Sequence, residues 1–104
     1  MNRQNDSDDW TRPVTLGTGL KIYSGNQYSK EYVGSLQCKF KDTSDGNTYY
    51  VVLKKNGSET YIQEYKFRSY YWVKKKDANS LHGVQLLKCY DNKRNHFIHY
   101  NTIE

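Results

Sequence analysis

From Tyr32 to Lys41 the chain alternates with period two. Tyr32, Gly34, Leu36, Cys38 and Phe40 take turns with Val33, Ser35, Gln37, Lys39 and Lys41. Successive strand side chains point to opposite faces, so this spacing predicts a half-buried strand with one apolar face. Farther on, Asn56-Gly57 separates two β-rich runs, Thr48 to Lys54 and Glu59 to Phe67. Asn-Gly in that setting predicts a tight hairpin, because a type I′ turn needs φ > 0 at both central residues.

The rest of the chain agrees. Ala occurs once, at Ala78, and Leu seven times, whereas Tyr occurs 11 times. Ala and Leu are the strongest helix formers; Tyr, Val, Ile, Thr and Phe favour strands. A first strand is expected at Leu20-Lys21-Ile22-Tyr23, with a turn at Ser24-Gly25-Asn26. Asp42 to Asn47 reads as a loop. Arg68 to Val73 reads as a fifth strand or a short 3₁₀ turn, and Lys74 to Ser80 as a solvated loop. Val84 to Tyr90 and His96 to Tyr100 flank a five-residue turn and predict a C-terminal hairpin.

The chain's 104 residues suffice for one domain. Residues 1–13 read as a flexible acidic tail, with three Asp and one Arg among the first nine, and residues 14–104 as a single barrel domain. No apolar run approaches the roughly 20 residues of a spanning helix, and no export signal is visible. The expected location is therefore intracellular and cytoplasmic, where thiols stay reduced, and Cys38 and Cys89 are expected as free, buried cysteines. High Lys, Asn and Tyr beside a single Ala also suggests an AT-rich coding sequence, of the kind viruses and phages carry.

A strand, a turn-containing loop and three meandering strands resemble an SH3-like barrel of the Tudor or KOW type. The resemblance covers Gly19 to Tyr71. It is carried by Leu20-Lys21-Ile22, Tyr32-Val33-Gly34-Ser35-Leu36, Tyr49-Tyr50-Val51-Val52-Leu53 and Tyr61-Ile62, and closes on Lys66-Phe67-Arg68-Ser69-Tyr70. The expected fold is all-β: a small SH3-like barrel of five to seven short antiparallel strands with an added C-terminal hairpin. An OB-like barrel or small sandwich is the alternative. The resemblance implies an aromatic cage for a methylated cation at Tyr23, Tyr28, Tyr49 and Tyr50, with Asp45 as its acidic member. The competing reading places these rings in the core.

The formal charge of +5 directs the functional reading. Lys39, Lys41, Lys54, Lys66 and Arg68 alternate along strands, Lys55 lies in a turn, and Lys74-Lys75-Lys76 follows Tyr70-Tyr71-Trp72. Cations gain affinity for phosphate backbones through counterion release, and exposed rings offer faces on which bases stack. These residues, with Tyr71 and Trp72, predict a non-catalytic nucleic-acid-binding face for DNA or RNA. Alternatively, the lysines only solubilise the polar side of the sheet. The rival function is a protein-interaction module that regulates a host or partner protein through a Tyr-rich patch, including an acidic one.

Enzyme chemistry and metal binding find little footing. Cys38 and Cys89 lack a glycine elbow or a nearby carboxylate dyad, and Gly17-Thr18-Gly19 falls short of a phosphate loop. His82, His96 and His99 lack the spacing of a zinc site. No cofactor is expected.

Overall fold

A computed structural model describes residues 9–81 and 83–89 of the chain. Its strands are β1 (Trp10–Thr11), β2 (Lys21–Gly25), β3 (Lys30–Lys41), β4 (Thr48–Lys54), β5 (Glu59–Gln63) and β6 (Tyr71–Lys74). Two short helices, α1 (Glu64–Tyr70) and α2 (Lys75–Asn79), flank β6. All six strands form one open antiparallel sheet in the order β1-β6-β2-β3-β4-β5. Antiparallel, strand-rich architecture is thus present, in a sheet whose edges are β1 and β5.

Strand β4 matches its expected limits, and it is buried on both sides. Tyr50 and Val52 enter one cluster with Leu20, Ile22, Leu36, Ile62, Phe67 and Val73. Tyr49 and Val51 enter another with Cys38, Phe40 and Cys89. These clusters lie on opposite faces of the sheet, since neighbouring residues of a strand project oppositely.

That division corrects the single apolar face expected for Tyr32 to Lys41. Strand β3 keeps its alternating burial from Gly34 to Phe40, but its register shifts twice. Ile22 pairs with Gly34 while Tyr23 pairs with Tyr32; Leu36 pairs with Val52 while Cys38 pairs with Val51. Each bulge inserts one residue and reverses the facing of everything beyond it. Leu36 therefore faces one side of the sheet, while Tyr32 and Cys38 face the other, in two separate groups of side chains.

The Asn56-Gly57 hairpin is present between β4 and β5, with a different turn. Gly57 N–H donates to Lys54 O at 3.0 Å and Lys54 N–H to Ser58 O at 2.8 Å, enclosing a three-residue loop. Only Gly57 has positive φ, at 91°, which suits a turn followed by a glycine bulge. Asn56 instead uses its Oδ1 to accept from Ser58 N–H at 3.0 Å and Ser58 Oγ at 2.7 Å.

Helix replaces strand after Gln63. Phe67 is wholly buried, stacked on Tyr50 with centroids 4.4 Å apart and on Tyr71 at 6.1 Å. A helical turn delivers this one ring to the core and leaves Lys66 and Arg68 outside. Glu64 and Arg68, spaced i,i+4, pair at 3.3 Å, in the orientation that favours helix. The expected loop 74–80 likewise contains α2, because Ala78 and Leu81 pack on the first cluster from one side of it.

Three further expectations change. Trp10–Thr11, placed in the tail by sequence, pair with Lys74 and Val73, and Pro13 is fully buried. Cys38 and Cys89 are not free thiols: they form a disulfide with Cα atoms 5.1 Å apart. Around it, residue 88 makes a parallel bridge to Lys39, where a full strand was expected from Val84. Residues 1–8 of the tail and the partner strand of the C-terminal hairpin fall outside the described residues.

Candidate nucleic-acid interface

Val73 is buried in the core, so its neighbours Trp72 and Lys74 project to the opposite face of β6. Register does the rest: Trp72 pairs with Tyr23, Tyr23 with Tyr32, and Lys74 with Trp10. Four rings thus collect from four strands. Trp10 meets Tyr23 edge-on at 4.8 Å, and Tyr23 meets Tyr32 edge-on at 5.4 Å. Trp72 is anchored through its indole N–H, which donates to Gly25 O at 2.9 Å.

Cations fill the spaces between these rings. The Arg12 guanidinium carbon lies 3.7 Å from the Trp72 centroid, while its Nη1 donates to Tyr71 O at 3.1 Å. Lys30 Nζ stands 4.6 Å from Trp72 and 5.0 Å from Trp10, and donates to Gln27 O at 2.9 Å. Lys74 Nζ stands 5.5 Å from Tyr23 and 5.8 Å from Trp10. Ring faces carry negative quadrupole density that attracts such cations, so the positive groups gather around the rings. Beside them, a cleft of about 580 Å³ is lined by Asp9, Trp10, Lys74, Lys75, Lys76 and Asn79.

Of the residues singled out by sequence, Trp72, Lys74, Lys75, Lys76 and Tyr23 meet on this face. Tyr71 turns inward to Phe67. Lys39 and Lys41 sit at the far end of β3, Lys54 and Lys55 at the β4–β5 turn, and Lys66 and Arg68 on α1. Sequence reading missed Trp10 and Arg12, assigned to the tail, Lys30, and Tyr32, assigned to the core side. The tryptophan within an otherwise polar leader was the available signal.

The four expected cage tyrosines do not converge. Tyr28 is 82% exposed on the β2–β3 loop, and Tyr49 and Tyr50 occupy opposite faces of β4. Tyr49 OH donates to Asp45 Oδ2 at 2.6 Å. That bond, with burial, pushes the Tyr49 phenol up to about 12; the same bond, followed by the one Asn47 N–H donates to Asp45 Oδ1, holds the Asp45 carboxyl below its ordinary value. Tyr50 OH donates to Glu64 Oε2 at 3.0 Å; burial first, and that bond second, raise its pKa to about 12. Both are structural rings.

Among the described residues, no group of three or more His, Cys, Asp or Glu could hold a metal ion; His82, His96 and His99 lie outside them. No helix there is long and apolar enough to cross a membrane. Comparison with protein families, curated proteins and solved structures returned no match.

Proposed function

We propose that this chain binds nucleic acid without catalysis, and single strands in preference to duplexes, through the Trp10–Tyr23–Tyr32–Trp72 face and its Lys74–Lys76 rim. The supporting observation is the gathering of Arg12, Lys30, Lys74, Lys75 and Lys76 around four rings on one side of the sheet. Bases stack on such rings at about 1–3 kcal/mol each, and lysines contact phosphates as point charges, which reads sequence poorly. Both described cysteines are bonded to each other, so neither offers a thiolate for catalysis. An SH3-like barrel remains the finer reading of the fold. It is supported by the order of connection: a meander β2 to β5, one helical segment, then β6 returning beside β2.

Fluorescence anisotropy with labelled single- and double-stranded oligonucleotides at several salt concentrations tests the proposal. Affinity should fall steeply with salt. Lys74→Ala, Lys75→Ala and Lys76→Ala together should reduce the single-strand log–log slope by about 2, at roughly 0.7 per phosphate, with the melting temperature unchanged. Binding that is absent, or indifferent to salt, would favour a protein partner instead.

A further inference from the structure

At the end of β3 remote from Lys30, a second cleft of about 430 Å³ opens beside Lys39, Lys41, Thr48, Glu64 and Lys88. Tertiary structure alone brings Lys88 there. Lys39 N–H donates to Leu87 O at 3.0 Å, and Cys89 N–H to Lys39 O at 2.8 Å, with the Cys38–Cys89 disulfide clamping the adjoining residues. Bridge partners share a face, so Lys39 and Lys88 stand directly opposite each other, where like charges destabilise a sheet. Lys41, two residues along β3 and paired with Thr48, faces the same way. Glu64 is the one carboxylate lining the cleft among the described residues, and it is already engaged by Tyr50 and Arg68.

The fold therefore holds three ammonium groups together with little internal compensation. Such a cluster suits an oxyanion carrying more than one negative charge, for which lysine is a ready ligand. We infer that this cleft is a second anion site, separate from the tryptophan face, that takes phosphoryl groups between Lys39, Lys41 and Lys88, with the Thr48 hydroxyl as a further donor. It does not depend on the function proposed for the other face.

Calorimetric titration of pyrophosphate into the full, disulfide-bonded chain tests the site. Saturable binding is expected, weakened about tenfold by Lys88→Ala and similarly by Lys41→Ala, the scale of one lost hydrogen bond to a charged group. Both side chains are exposed, so the melting temperature should hold. The triple alanine variant of Lys74, Lys75 and Lys76 should bind pyrophosphate normally. An oligonucleotide that displaces pyrophosphate would identify backbone phosphates as the natural source; coexistence of the two would identify a free phosphorylated ligand. No saturable binding, an affinity in both single variants unchanged from that of the unsubstituted chain, or loss in the triple variant overturns the assignment.

Discussion

Tyr49 and Tyr50 adjoin in the chain, yet each satisfies its hydroxyl with a different carboxylate on a different side of β4. Their phenols are raised from 10.0 to about 12, so the folded state favours the protonated form. The resulting stabilisation is fully present below pH 10 and is lost as pH rises from about 10 to 12. Thermal unfolding followed across that window should show a steep fall in melting temperature. In Tyr50→Phe the fall should be shallower, because the buried ring no longer ionises; an identical alkaline profile would show that Tyr50 does not contribute. Gly34 is constrained for a different reason: a Cβ there would overlap the Leu53 carbonyl oxygen, where β3 and β4 approach at the first bulge. Gly34→Ala should therefore destabilise more than a typical surface change, which lies within about 0.5 kcal/mol, as read from denaturant midpoints.

At the scale of elements, α1 shows how packing overrides a strand-like sequence. Tyr65, Lys66, Phe67 and Arg68 alternate as a strand would, but only Phe67 finds a buried position. Its contacts with Tyr50 and Tyr71 tie α1 to β4 and β6. Phe67→Ala should cost about 3–5 kcal/mol, lowering the urea midpoint with little change in slope. A loss below 1 kcal/mol would mean that the helix does not depend on this ring. The bulges in β3 act at the same scale. They let one strand supply the aromatic face through Tyr32, the first core through Leu36 and the second through Cys38.

Across the whole molecule, the disulfide joins a strand in the centre of the sheet to a segment 51 residues later. Closing a loop of that length stabilises by about 4 kcal/mol in the chain-entropy model. Reduction with a dithiol should lower the urea midpoint accordingly, while the same reagent should leave a Cys38→Ser/Cys89→Ser double variant unaffected. A wild-type midpoint insensitive to reduction would place the clamp's role elsewhere. Pairing of β1 with β6 works over a similar distance: it returns Trp10 to Lys74 and completes the face that the nucleic-acid proposal uses.

Local matters were legible in the amino-acid order. It contained the strand at Thr48 to Lys54, the hairpin at Asn56-Gly57 and the lysine run beside Trp72, because propensity, turn chemistry and alternation act over a few residues. Which surface each strand residue serves was settled by long-range pairing, since a one-residue bulge reverses facing without changing the apparent alternation. Long-range packing also made Glu64 to Tyr70 a helix, brought Cys38 to Cys89, and joined Trp10 to Tyr23 and Trp72 while parting Tyr49 from Tyr50. Those outcomes depend on packing and pairing between segments many residues apart, which no local pattern encodes.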